Sequence, residues 1–137
     1  MTARSISYWI TTVLFALALG ASALGDLVLA PPIVEGITAL GYPLYFVTIL
    51  GVWKALGVIA ITAPGFPRLK EWAYAGFFFH LTGAIASHLA IGDVAIAAPV
   101  VLLLLGVTSW ALRPESRVLG RLAPERVLAP RSELATS

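Results

Sequence analysis

The segment 49-ILGVWKALGVIAI-61 decides the fold class, because it is a long apolar run interrupted by a single charge, Lys54. Hydrophobic residues make up 59% of the 137 residues and charged residues only 12%, and the mean hydropathy is +0.92. A water-soluble domain rarely has this composition, whereas helices that cross a bilayer require it. The segment therefore predicts a membrane-spanning helix with a cation near its middle.

Three other apolar stretches have a similar length. A helix rises about 1.5 Å per residue, so about 20 residues cross a hydrocarbon layer of about 30 Å. The sequence predicts an all-α integral membrane protein, an antiparallel bundle of four transmembrane helices with short connections. The predicted spans cover residues 6–29, 42–63, 72–91 and 94–112, and a basic tail covers residues 113–137.

The first span has a second interpretation. Arg4, the apolar core that follows it and the small residues 21–23 also resemble a cleavable signal peptide. The apolar run continues past the would-be cleavage site, which favours a retained span.

Proline and glycine mark the predicted connections. Pro31 and its neighbour Pro32 end the first span, the prolines of segment 64–67 end the second, and Gly92 begins a tight turn before the fourth. Pro99 either kinks the fourth helix or occupies the first turn of a helix that starts later. Between the first two spans, a short surface helix is expected over residues 33–40, where it would carry Glu35.

Lysine and arginine outside the spans are confined to one side of the predicted bundle. They precede the first span, lie between the second and third, and follow the fourth. The other two connections carry only the acidic residues Asp26, Glu35 and Asp93. By the positive-inside rule, both termini are cytoplasmic and the protein is a multi-pass protein of the cell membrane.

The basic tail is expected to be solvated and flexible, with an alternative interpretation as an amphipathic helix over residues 118–128 on anionic headgroups. The net charge of +2 is explained by topology and does not indicate binding to nucleic acid. The absence of cysteine excludes disulfides, thiol catalysis and thiolate-bound iron–sulfur clusters. Phosphate-loop, zinc-protease and nucleophile-elbow motifs are also absent, so the chain is not expected to be an enzyme on its own.

Ionisable residues at membrane depth are the candidate ligand-binding residues, since each costs several kcal/mol unless it faces the bundle interior or water. Counting from the span midpoints puts Lys54 and His80 near the midplane. The same count puts Asp26 and His88 roughly 10 Å or more toward the outer side. The predicted ligand-binding or buried polar set is Asp26, Glu35, Lys54, His80, Ser87 and His88.

Helical periodicity predicts which faces meet inside the bundle. In the third span, a small, polar face is expected to point inward and large apolar residues toward lipid. The inward face comprises His80, Gly83, Ala84, Ser87 and His88, and the lipid-facing residues are Phe77, Phe78 and Leu81. The equivalent inward faces of the first two spans comprise Ala18, Ala21, Ser22, Gly25 and Asp26, and Val47, Gly51 and Lys54. Such faces can enclose a polar pocket.

The same residues also have a purely structural interpretation. Lys54 can bond within the bundle, and the two histidines can bond to backbone or hydroxyl groups and fix the register of the helices. His80 and His88 lie ~12 Å apart along the helix axis, so no metal site is predicted. If Lys54 belongs to a buried network and Lys70 does not, Lys54→Met should disrupt the protein far more than Lys70→Met.

Five segments in a characteristic order carry a family resemblance. They are SALGDL (22–27), LGYP (40–43), LGVWKALGVI (50–59), PGFPRLKEWAYAGF (64–77) and SHLAIGD (87–93). Through them the chain resembles the DoxX-like family of small four-helix bacterial membrane proteins, over nearly the whole length up to Leu112.

The resemblance implies a four-helix bundle in the inner membrane and leaves two functions open. Some family members are described as membrane partners in oxidative-stress complexes, which favours a non-catalytic subunit that binds a lipid-like ligand or a protein partner. The family name comes from a subunit of an archaeal thiosulfate:quinone oxidoreductase. In that alternative, Lys54 and His80 would bond quinone oxygens, and Asp26 or His88 would pass protons outward.

The chain departs from the family pattern at two positions. Many members close the first span with a lysine and carry a glutamate in the second, whereas this chain has Asp26 and Lys54 there. The exchanged signs suggest that the two positions interact. The depth count instead separates their backbones by roughly 10 to 15 Å, and lysine reach or helix tilt could narrow that gap, so direct contact stays open.

Overall fold

The computed structural model describes residues 2–118, which form five α-helices and one short 3-10 helix. The predicted all-α class is confirmed. The predicted amphipathic helix over residues 118–128 lies outside the described residues, apart from its first. The α-helices are α1 (Ala3–Leu27), α2 (Pro31–Ala39), α3 (Leu44–Thr62), α4 (Pro67–Ala90) and α5 (Ala97–Ala111), and the 3-10 helix is Glu115–Arg117.

The helix boundaries follow the proline and glycine signals. Thr2 caps α1 by accepting a hydrogen bond from the backbone N–H of Ser5 at 3.2 Å. Pro31 and Pro67 occupy the first turns of α2 and α4, where the missing N–H costs no helical hydrogen bond. Pro99 lies in the first turn of α5, because this helix begins at Ala97, three residues later than the predicted span.

The four long helices form a closed ring, in which α1 and α4 each contact both α3 and α5. Contacts between opposite helix ends show that neighbours run antiparallel. Arg4 donates to the carbonyl of Ala111 at 3.5 Å, and Lys70 donates to that of Ala60 at 2.9 Å. The short helix α2 packs mainly on α3 and has no buried residue.

The core of the ring is built from large side chains that fill notches at glycines. A Cβ on Gly57 would lie 2.5 Å from the ring of Phe77, and one on Gly106 would lie 2.8 Å from the ring of Phe15. These two rings meet edge to face at 5.4 Å. The buried cluster comprises Phe15, Leu19, Ile61, Tyr74, Phe77 and Leu81.

The predicted inward face of α4 is wrong. Phe77 and Leu81 are buried, whereas Gly83 is exposed and has no atom within 4 Å of where its Cβ would stand. The prediction assumed that small residues mark the interface. Here the small residue lies on the neighbouring helix, because Gly57 of α3 leaves room for the ring of Phe77 of α4.

Two of the described helices, α1 and α3, are long and apolar enough to cross a membrane, and α5 is apolar but has only 15 residues. α4 does not meet that criterion, although it has 24 residues. Its first turns carry Arg68, Lys70 and Glu71, and His80 and His88 lower the hydropathy of the rest of the helix.

Candidate functional site

An ion pair joins α1 and α3 inside the ring. The Lys54 Nζ donates to Asp26 Oδ2 at 2.8 Å and to Ser22 Oγ at 3.0 Å. Asp26 is 2% exposed, and the Lys54 side chain is 12% exposed. Neither charge is therefore left without a partner in an apolar surrounding, which would cost several kcal/mol.

Gly51 explains how the pair can form. A Cβ at Gly51 would lie 2.9 Å from the Asp26 Cβ, so the backbone of α3 approaches α1 closely at this level. Lys54 follows one helical turn later on the same face and reaches back to the carboxylate. The contact that the depth count left open is therefore direct. The count placed the span midpoints at one level, but the register is set by the close packing at Gly51.

A groove of about 420 Å³ between α3 and α4 brings Lys54 together with His80. Lys54 lies on the α3 wall and His80 on the α4 wall, and among residues 2–118 these are the only two ionisable residues that line this groove. Two strongly exposed tryptophans, Trp53 and Trp72, also line it. The groove is thus largely apolar and contains two hydrogen-bonding side chains.

Both groups keep hydrogen-bonding capacity toward the groove. A lysine ammonium has three N–H donors, of which two are directed to Asp26 and Ser22. Within residues 2–118, no hydrogen bond involves the imidazole of His80. One donor of Lys54 and the ring nitrogens of His80 are therefore available to a ligand.

The other residues of the predicted set lie apart from this groove, toward the end of the ring that holds α2. Ser87 bonds to the hydroxyl of Tyr42 at 2.8 Å. His88 bonds through Nδ1 to Asp93 Oδ2 at 2.8 Å, not to Asp26. Glu35 is exposed on α2 and makes no side-chain hydrogen bond within the described segment.

The Asp93 carboxylate organises the turn before α5. Its Oδ1 accepts from the backbone N–H of Ala95 at 2.9 Å, and its other oxygen meets His88. The hydrogen bond from Ala95, followed by that from His88, holds the pKa of the Asp93 carboxyl below its usual value. These contacts stabilise a connection and do not form part of the groove.

A buried chain of hydroxyl groups was not predicted from the sequence. Ser109 Oγ lies 2.6 Å from Thr12 Oγ1 and 2.7 Å from the Tyr74 hydroxyl, linking α1, α5 and α4. Hydroxyl side chains in apolar helices commonly bond across a helix interface. The sequence offers no other sign of this hydroxyl chain, because its three residues are far apart in sequence.

The second unpredicted feature is a buried basic cluster at the end of the ring that holds the start of α1. Lys70 is fully buried and donates to the carbonyls of Ala60 and Ala63 at the end of α3. The prediction that Lys54 but not Lys70 is buried in a polar network is therefore wrong. The predicted span begins at residue 72 and leaves Lys70 in a connection, but Lys70 lies in the first turn of α4 and turns back toward α3.

Residues of the predicted tail complete this cluster. Arg113 is buried, pairs with Glu71 and lies over the ring of Tyr74 at 5.1 Å. Arg117 donates to the Tyr8 hydroxyl at 3.4 Å and to the Ile61 carbonyl at 3.2 Å. Arg113 and Arg117 thus pack on the ring, whereas Glu115 and Val118 are exposed.

A second groove of about 440 Å³ lies between α4 and α5. The carboxylate of Glu71, which lines it, is already bonded to Arg113 and Trp110, and the hydroxyl of Tyr74 is already bonded to Ser109. This groove offers shape but little spare polar chemistry. The α3–α4 groove is therefore the candidate functional site.

Comparison with known protein families matches the DoxX-like family over residues 10–109, which include both walls of the α3–α4 groove. Neither a curated protein nor a solved structure matches the chain.

Proposed function

The chain belongs to the DoxX-like family, and on that premise we propose that it is a multi-pass protein of the bacterial inner membrane that binds a lipid-like ligand in the α3–α4 groove. The ligand would bond to Lys54 and His80 through oxygen atoms of its head, and its apolar part would lie along the groove. In this proposal the protein is a binding subunit and not an enzyme on its own.

The exposure of apolar surface supports a membrane location. Only 28% of the most apolar window of α1 and 22% of that of α3 is buried within the ring. The central helix of a soluble protein would be mostly buried, since water disfavours exposed apolar patches of this size. Large apolar side chains of α4 and α5, such as Phe79 and Leu104, are exposed as well. We propose that all four long helices cross the bilayer.

The distribution of charge supports an orientation. Arg4, Arg68 and Arg113 belong to the end of the ring where α1 starts and α5 stops, whereas Glu35 and Asp93 belong to the opposite end. By the positive-inside rule, the first end is cytoplasmic. The protein partner that the sequence favours would meet this basic end, although residues 119–137 lie beyond the described part of the chain.

The observation that carries the proposal is the spare hydrogen-bonding capacity of two groups on facing walls of one apolar groove. Placing an ionisable group at membrane depth costs free energy, and the groups found there commonly mark binding sites. Asp26 and Ser22 satisfy part of Lys54, but they leave a donor toward the groove. His80 also lines this groove. Its ring nitrogens make no hydrogen bond within residues 2–118, so no contact of the fold uses them.

The same observation favours a second candidate, a membrane subunit of a quinone-coupled oxidoreductase. A quinone presents carbonyl oxygens on opposite sides of a flat ring, so it can accept one hydrogen bond from each wall of a groove. His80 on α4 and Lys54 on α3 meet that requirement. The electron donor would then belong to a partner protein, because the chain contains no cysteine and no redox group of its own.

One purification separates these outcomes. Wild type, His80→Ala and His88→Ala are purified in mild detergent, and the bound small molecules are extracted and identified by mass spectrometry and absorbance. The two variants remove the same side chain from one helix, inside and outside the groove. We expect one amphiphile to be enriched with wild type and His88→Ala, and to be lost with His80→Ala.

The identity of that molecule decides between the candidates. A co-purifying quinone that raises the Tm when added back would favour the oxidoreductase subunit, and another lipid would favour the binding protein. Equal amounts of every extracted lipid in all three preparations would contradict both candidates.

A further inference from the structure

We infer that Asp26 determines which charge the α3–α4 groove accepts: the site takes a neutral amphiphile with an oxygen acceptor in its head and rejects an anionic one. This inference rests on the proposed function and names the chemical class of its ligand. Asp26 does not line the groove and acts through Lys54.

The first step concerns the charge that a ligand would meet. A lysine at the wall of an apolar groove would ordinarily favour an anion such as a carboxylate or phosphate. Here the ammonium of Lys54 already lies 2.8 Å from a carboxylate that is 2% exposed. The groove therefore presents an ion pair with no net charge, and not a free cation.

The second step concerns what an anion would cost. No other lysine, arginine, aspartate or glutamate lines this groove. An anionic head would have to leave water and lie near the carboxylate of Asp26 with no second cation to balance it. In a medium of low dielectric constant, that repulsion and the loss of hydration oppose binding. An anion could have the ammonium as its counter-ion only by displacing Asp26, and this displacement would leave a buried carboxylate unpaired.

The third step concerns what a neutral acceptor would gain. A carbonyl, ester or hydroxyl oxygen needs a single donor, and Lys54 has one N–H beyond those directed to Asp26 and Ser22. A hydrogen bond from a charged donor is stronger than one from a neutral donor. Asp26 holds the ammonium in place, yet cancels its attraction for anions.

The test uses two probes that differ in charge, dibromostearate at pH 9 and its methyl ester. Their bromine atoms quench the fluorescence of Trp53 and Trp72 in the groove, and a variant with both tryptophans changed to phenylalanine gives the background. For wild type we expect half-maximal quenching by the ester at a concentration at least about tenfold below that of the acid. A preference of wild type for the acid would overturn the inference and leave the proposed binding function standing.

Asp26→Asn converts the pair into a lone cation, so we expect the preference to shift toward the acid by about tenfold or more. Asp93→Asn removes a carboxylate outside the groove and should leave the preference unchanged. Retention of the ester preference in Asp26→Asn would overturn the role of Asp26.

A neutral double variant keeps the inference testable if Asp26→Asn does not fold. Asp26→Asn with Lys54→Gln replaces a neutral ion pair by neutral amides, so the ratio of the two affinities should stay within about threefold of wild type. A larger change would show that the pair does not act as a neutral unit. Quenching of wild type no greater than that of the variant without Trp53 and Trp72 would instead contradict the proposed function itself.

Discussion

Lys54 Nζ lies 2.8 Å from Asp26 Oδ2, at a level where the absence of a side chain on Gly51 lets α3 approach α1. Each charge of this ion pair balances the other inside an apolar ring. An ion pair of this kind also tolerates an exchange of the two signs. This gives a physical reason why the chain has aspartate and lysine where many family members carry lysine and glutamate.

Removing one partner of this pair should cost more than removing both charges. Lys54→Met leaves Asp26 buried and unpaired, and the cost of breaking a buried ion pair in this way is about 3–5 kcal/mol. Asp26→Asn with Lys54→Met leaves no charge and should recover much of that loss. Thermal unfolding of the purified variants in one detergent measures the difference. A double variant no more stable than Lys54→Met would show that the unpaired carboxylate is not the source of the cost.

Lys70→Met should also destabilise the protein. Lys70 is fully buried, and its ammonium satisfies carbonyls at the end of α3 that have no intrahelical partner. Leaving buried acceptors unsatisfied costs about 1–3 kcal/mol. Arg68→Met is the matched control, since Arg68 is exposed two residues earlier in the same helix. If both variants melt at the same temperature, the buried lysine contributes no stability.

Gly57→Ala should destabilise the ring by overpacking, typically by about 1–3 kcal/mol. The added methyl group would lie 2.5 Å from the buried ring of Phe77, which is itself packed against Phe15. Gly83→Ala adds the same methyl group to an exposed helical position where nothing lies within 4 Å. This control should be neutral or slightly stabilising, because alanine has the higher helix propensity. An equal loss of Tm in Gly83→Ala and Gly57→Ala would show that the space beside Gly57 is not needed for the ring of Phe77.

Asp93→Asn should change how stability depends on pH. The hydrogen bond from Ala95, and then that from His88, lowers the pKa of Asp93 from its usual 3.8. A carboxyl group with a lowered pKa in the folded state stabilises the fold above its unfolded pKa, and this gain is lost as the pH falls through the folded pKa. The Tm of Asp93→Asn should therefore lie slightly below that of wild type at neutral pH. The difference should shrink as the solution is acidified below the usual pKa, and it should vanish below the lowered pKa of the folded state.

The Asp93 effect should be small, because the side chain is 39% exposed and solvent screens the interaction. Glu35→Gln removes an exposed carboxylate that has no side-chain hydrogen bond among the described residues, and it should show no such difference. Measurements of Tm against pH at low salt make the comparison. A Tm difference between wild type and Asp93→Asn that widens on acidification would contradict a stabilising contribution from the ionised Asp93.

The residues of the site show how far sequence patterns reach. The apolar run around Lys54 and the two histidines of the third span put Lys54 and His80 among six candidate residues, and these two line the groove. The inward face of α4 could not be predicted in the same way, since periodicity identifies two faces but not which one is buried. Phe77 is inside because Gly57 leaves room for its ring, and that room belongs to another helix.

The sequence by itself determined the all-α class, the approximate helix boundaries and the residues that combine charge with apolar surroundings. Those properties depend on local composition, on proline and glycine, and on the length of apolar runs. Only the tertiary structure decided that Asp26 meets Lys54, that His88 meets Asp93 and that Lys70 is buried. Each of these facts depends on the register between elements or on how a side chain turns back across a connection. A shift of one helical turn moves a side chain by about 5.4 Å, which is enough to make or break an ion pair.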